Sequence, residues 1–88
     1  MIDRSLTVVP ENGLHARPAA RFVSTASQYD SVIEVSTEDG EPVDASSMLA
    51  VTGLNVRSGE RVTLSVDGPD EDAAFEALEE ILTTPEEE

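Results

Sequence analysis

Two spacings of apolar residues alternate along this chain, and together they leave few ways to fold it. Arg61 to Asp67 reads RVTLSVD, with Val62, Leu64 and Val66 at every second position, the pattern of a strand with one buried face. From Ala74 the spacing changes to that of a helix, through Ala74, Leu78 and Ile81 with Phe75 and Leu82 on one stripe. The same two periods occur upstream. Ile2 to Val9 alternates, with Ile2, Leu6 and Val8 on one face. Ala16 to Gln28 carries Ala16, Ala19, Ala20, Val23 and Ala26 at helical spacing, and Pro18 is tolerated there because first-turn N–H groups need no intrahelical partner. Val32 to Thr37 predicts a second strand with Ile33 and Val35 inward, and Val43 a short third one. Between them EDGEP, 38–42, is a turn in which Asp39-Gly40 signals a hairpin. Ser46 or Ser47 caps a short helix expected to bury Met48, Leu49, Val51 and Leu54 and to end at Asn55, a residue that tolerates the left-handed conformation. The run DGPDEDAAF leads into the last helix, its acidic first turn complementing the helix dipole. The tail TTPEEE, 83–88, is expected to fray.

The order strand, helix, strand, strand, helix, strand, helix predicts an α+β fold. Each helix is one-sided and each strand alternates, so two layers follow: an open-faced β-sandwich with a four-stranded antiparallel sheet and three helices on one face. No repeat or long linker divides the 88 residues, which suffice for one core and suggest a single domain over 1–88. There is no cysteine, which excludes disulfides, zinc–thiolate sites and thiol nucleophiles and leaves packing alone to hold the fold. No apolar stretch approaches the roughly 20 residues that span a bilayer. The opening MIDRSLTVVPENG has no apolar segment of signal-peptide length, so a cytoplasmic protein is expected.

One stretch carries chemistry. NGLHARPAAR, 12–21, holds the only histidine and two of the five basic residues. If a helix starts at Ala16, His15 is its N-cap, at the end of a loop that Gly13 is expected to make flexible. The backbone N–H groups of Ala16 and Arg17 then point out of the helix unpaired, where the dipole places partial positive charge and an anion can bind. The planar fork of Arg17 suits phosphate oxygens, and Arg21 lies one turn along the same face. An imidazole is a nucleophile available in its neutral form near neutral pH. The parts specify a histidine that holds a phosphoryl group and passes it on. They do not make a stand-alone enzyme, since no second histidine, no Ser/His/Asp set and no Gly-rich phosphate loop is present. The plainer alternative is that His15 only caps a helix and Arg17 is only a solvated side chain. A metal role is poorly supported by one histidine and no EF-hand spacing, and no cofactor is expected.

GLHARPAARFV, from Gly13, resembles the active-site motif of HPr, the histidine-containing phosphocarrier family of the sugar phosphotransferase system. The likeness extends through ASQYDS, SSMLAVTGLNVRSGE and DGPDEDAAFEALEEIL, nearly the whole chain, and the element order is that of the family. The resemblance implies that a phosphoryl group from phosphoenolpyruvate reaches Nδ1 of His15 by way of enzyme I, with Arg17 assisting. It then passes to a histidine of a sugar-specific enzyme IIA, both partners being transient and the carrier a monomer. It also implies an apolar docking face with basic residues around it, for which Arg21 and Met48 are the candidates. In part of the family a serine opening the second helix is phosphorylated by a regulatory kinase. Ser47 occupies that place one residue later, with Ser46 where a lysine is frequent, and with Ala50 and Asn55 where glycines are. Ser47 is otherwise simply an N-cap. Two other roles are open to HPr-like domains: passing phosphate toward dihydroxyacetone phosphorylation, or acting as a regulatory binding module without phosphotransfer. The intact His15, Arg17 and Pro18 count against the second.

The surrounding charge is lopsided. Nineteen acidic residues face five basic ones, all arginine (Arg4, Arg17, Arg21, Arg57, Arg61), for a net charge of −14. That balance argues against nucleic acid or an anionic membrane as partner. Acid-rich and lysine-free, it resembles proteins of salt-loving archaea. Self-repulsion is screened over about 10 Å in 0.1 M salt but about 3 Å in 1 M. The chain is therefore expected to fold fully only at molar salt. Circular dichroism on dilution into low-salt buffer checks this: the folded signal should fall, and an unchanged spectrum overturns the expectation.

Overall fold

The structure, a computed structural model, describes residues 1–85 as seven elements: β1 (Ile2–Thr7), α1 (Ala16–Ala26), β2 (Val32–Thr37), β3 (Val43–Asp44), α2 (Met48–Gly53), β4 (Arg61–Asp67) and α3 (Glu71–Thr83). They form the α+β open-faced sandwich expected from the alternating periods. β4 is central, antiparallel to β1 on one side and to β2 on the other, and β2 carries β3 in the order β1-β4-β2-β3. Register explains why the sheet has one apolar face. Val66 sits between Ile2 and Ile33, Leu64 between Arg4 and Val35, and Val62 between Leu6 and Thr37. These rows face the helices, and Val62, Leu64 and Val66 are fully buried. The intervening rows, such as Asp3–Ser65–Glu34–Asp44, face solvent.

Against the inner face pack Ala19, Phe22 and Ala26 of α1 and Ala74, Phe75, Leu78, Ile81 and Leu82 of α3, the stripe expected of the last helix. No polar or charged residue is buried among the described residues. Arg4 is the one charge on an inner row. It sits on the edge strand, with its guanidinium carbon 5.3 Å from the ring centroid of Phe75, so the chain keeps a cation–π contact where solvent is still in reach.

Several expectations are corrected. β1 ends at Thr7, because the amides of Val8 and Val9 turn to the carbonyls of Glu60 and Leu82, both at 2.8 Å; Val8 is nevertheless fully buried. The buried stripe of α1 is centred on Phe22, and Ala16 and Ala20 are exposed. Phe22 carries the largest apolar surface on the helix, and its burial sets the rotation that the small alanines left open. α1 stops at Ala26, where Ser27 donates from both its amide and its hydroxyl to the Val23 carbonyl. β2 and β3 do form a hairpin, but through a five-residue connection in which Gly40 needs no positive φ. Leu49 is not buried but 85% exposed, and Met48, the candidate for a partly exposed docking face, is 39% exposed; of the four apolar residues of this segment only Val51 is fully buried. Of the segment expected to fray, Thr83 still closes α3, its hydroxyl donating to the Glu79 carbonyl at 2.7 Å; 86–88 lie outside the described residues.

The head of α3 is tied to the start of β2. Asp70 accepts from the Ser31 hydroxyl at 2.5 Å and from the Asp30 amide at 2.8 Å, and these bonds hold its carboxyl below the usual range. A carboxyl depressed in the folded state stabilises the fold above its unfolded pKa, about 3.9. That contribution fades as pH falls through the lower folded value. Asp70→Ala is accordingly expected to lower the melting temperature at pH 7, by a difference that closes in strong acid; a pH-independent difference contradicts this. Phe22→Ala should cost about 3–5 kcal/mol of unfolding free energy. Leu49→Ala, by contrast, should stay within about 0.5 kcal/mol. Denaturant titration at a salt concentration that keeps the parent folded compares the two.

Candidate functional site

The loop 10–14 that delivers His15 to the head of α1 is held at both sides. The Gly13 amide donates to the Pro10 carbonyl at 2.8 Å, and the Leu14 amide donates to the Val56 carbonyl at 3.0 Å. Leu14 is 1% exposed, a plug in the main core. Gly13 is buried at φ +66, and a Cβ built there would lie 2.2 Å from the Val56 oxygen and 2.7 Å from the Arg57 Cα. The expectation that Gly13 gives the loop flexibility is therefore overturned: glycine is there because two backbones touch.

His15 follows as the N-cap of α1, as expected, with an extended backbone (φ −135°, ψ 165°). Its ring is half-buried, neither under the core nor fully in solvent. The His15 side chain makes no capping bond and no acid stands in the first turn, so the dipole's partial positive charge meets no carboxylate of α1's own first turn. Ala16 has φ +52, a left-handed conformation that costs an L-residue about 1–2 kcal/mol. A left-handed residue followed by a helical one turns successive amides into a concavity that suits an anion. Nothing in the letter Ala announces this bend, and sequence reasoning missed it.

Arg17 and Arg21 are both exposed and line one small cleft with Pro10, Pro18, Glu80 and Ile81. Glu80 is close but pairs with neither; among the described residues the ion pairs are those of the Met1 amine with Asp67 and Glu71. In a chain this acidic, guanidiniums without an ion pair among the described residues are notable, because acids are available almost everywhere. Arg57, which sequence reasoning did not place here, packs its backbone against Gly13, so three of the five arginines lie around the loop and helix that carry His15. The Asn-Gly at 12–13 is a pair that favours a positive φ, but no local signal names Arg57 as its neighbour.

α2 packs against α1 and β3. Ser47 is its N-cap, its hydroxyl accepting from the Ala50 amide at 3.3 Å. Ser46 turns away, donating from its hydroxyl (2.7 Å) and amide (2.9 Å) to Asp44, whose carboxyl is held below its usual range by those two bonds. With only six residues, α2 buries one narrow face through Val51 and leaves Met48 and Leu49 outward.

A small open-faced sandwich that presents a single histidine at the head of its first helix, with two exposed arginines on the same helix, has the architecture of a phosphoryl-carrier domain. Comparison with known proteins agrees. Residues 2–84 match the family model for the PTS HPr component phosphorylation site. The phosphocarrier protein HPr of Haloferax volcanii is 52% identical over 86 residues, covering 97% of each chain. Among solved structures, HPr from Bacillus anthracis superposes with a TM-score of 0.88 at 33% identity, covering 93% of this chain and 96% of that one. An HPr from Thermoanaerobacter tengcongensis superposes with a TM-score of 0.87 at 40% identity, covering 93% and 91%. The chain belongs to the HPr family of phosphocarrier proteins.

Proposed function

We propose that His15 accepts a phosphoryl group from phospho-enzyme I, derived from phosphoenolpyruvate, and passes it to a sugar-specific enzyme IIA in the cytoplasm, the carrier acting as a monomer. The observation that carries this reading is the head of α1 itself: His15 at the N-cap, a left-handed Ala16 and no acid in the first turn, with the exposed Arg17 two residues on. In the forward step the lone pair of Nδ1 attacks phosphorus, a phosphorus–nitrogen bond forms, and the bond from phosphorus to the donor breaks with its electrons going to the donor. The charge stays on the three phosphoryl oxygens throughout. Donors already aimed at those oxygens need no reorganisation when the group arrives. Transfer onward is the same step reversed on a new acceptor. Nothing in the chain activates phosphoenolpyruvate, which is why the activating chemistry belongs to a partner.

Exposed Met48 and Leu49 on α2 supply an apolar contact beside α1, and Arg17, Arg21 and Arg57 supply a basic one. Charges of this kind steer association with an acidic partner, with a rate that falls as salt rises. Ser47 is assigned the capping role that its bond to the Ala50 amide supports.

Incubation with enzyme I and labelled phosphoenolpyruvate tests the reading. Acid-labile label is expected on the parent and none on His15→Ala. Arg17→Ala should slow transfer by about a hundredfold or more if its guanidinium stabilises the oxygens. Its fold should change little, because the side chain is exposed. Label that survives His15→Ala, or equal rates for Arg17→Ala and parent, overturns the corresponding assignment.

A further inference from the structure

We infer that Asn55 is a positioning residue for His15, acting through its backbone alone. The inference rests on the carrier reading above and adds a residue to it. α2 ends at Gly53 with Leu54 as its C-cap in the right-handed conformation (φ −69°, ψ −21°), and Asn55 then reverses the chain at φ +55. Its side chain is exposed and makes only a long bond, from Nδ2 to the Gly53 carbonyl at 3.4 Å. What the reversal accomplishes lies one residue on. Val56 is driven into the core, 1% exposed, and its carbonyl is aimed at the Leu14 amide. The next residue, Arg57, is fixed by its amide donating to Glu60 Oε1 at 2.7 Å, and its Cα fills the space beside Gly13.

The segment 55–60 is stapled to the strand end that feeds the His15 loop by three further bonds. Gly59 donates to the Val8 carbonyl at 2.7 Å, Val8 donates to the Glu60 carbonyl at 2.8 Å, and the Ser58 hydroxyl donates to the Val9 carbonyl at 3.2 Å. The seat of His15 is thus a rigid surface made by a different part of the chain. His15 stands one residue beyond the anchored Leu14 amide. A shift of the Val56 carbonyl carries the ring with it, relative to the amides of α1. A displacement near 1 Å between reacting groups can slow a reaction by about a hundredfold. A conformation with φ near +55 is open to glycine and tolerable for asparagine and aspartate, but not to a β-branched residue.

Backbone and side chain separate cleanly in a set of three variants of the full chain: Asn55→Gly, Asn55→Asp and Asn55→Val. Each is assayed for His15 phosphorylation by enzyme I, at a salt and temperature where circular dichroism shows it folded, with rate and KM for the phospho-donor resolved. Asn55→Val is expected to lower the maximal rate about tenfold with KM unchanged, and Asn55→Gly to restore it to within about twofold of the parent. Amide hydrogen exchange should show protection lost at Leu14 in Asn55→Val while Val66, in the sheet centre, keeps it. A folded Asn55→Val that transfers at the parent rate overturns the inference. So does an Asn55→Gly as slow as Asn55→Val, which would assign the effect to the side chain, or a change confined to KM, which would assign it to partner contact. If the parent itself takes no label, the carrier reading has failed, and that result cannot be mistaken for any of these.

Discussion

Everything in this structure depends on one dry apolar layer between the inner face of the sheet and the helices. No cysteine cross-links it, and no buried polar group among the described residues gives it hydrogen-bonded specificity. Shape and volume must do the specifying, which is why the layer uses side chains with few rotamers, such as valine, leucine and phenylalanine. The same layer reaches the functional end of the molecule. Val8, Leu14 and Val56 belong to the cluster that contains Leu64 and Phe22. The loop beneath His15 is anchored by the hydrophobic core, and not by local turn chemistry alone. Fold stability and site geometry are in this sense one quantity, and a core that loosened would blur the histidine's position before the sheet was lost.

Much of the architecture was legible in the sequence because two periods cannot be confused over a full element. Val62, Leu64 and Val66 were readable as one face of β4, and Ala74, Leu78 and Ile81 as the stripe of α3, and both are buried. The misreadings came where periodicity has little to say. In α1 the alanines gave a helix but not its rotation, since five small residues define a face only weakly beside one phenylalanine. In α2 the letters of Met48 and Leu49 suggested burial, but a six-residue helix has too little surface to bury more than a narrow strip.

The candidate site was half legible. His15 at an N-cap, with Arg17 and Arg21 one turn apart, could be placed from spacing, and the family likeness sharpened what they are for. The frame that holds them could not, because it is made of long-range backbone contacts. No local signal tells that Val56 meets Leu14, some forty positions earlier, or that Ala16 adopts φ +52. Asn55 was an exception, since its tolerance of the left-handed conformation was visible; the use made of that bend was not. Two of the five arginines share one cleft on this helix, a local concentration of positive charge that a total of −14 conceals.

The separation between an apolar interior and carboxylates that, among the described residues, all lie at least partly exposed has an evolutionary consequence. Because no acidic side chain is buried among the described residues, most of its acids can be exchanged without repacking the core. Surface charge and architecture can then drift independently, so that one scaffold can be dressed for brine or for dilute cytosol. The close superposition on relatives that share only a third to two-fifths of its residues fits such a modular history.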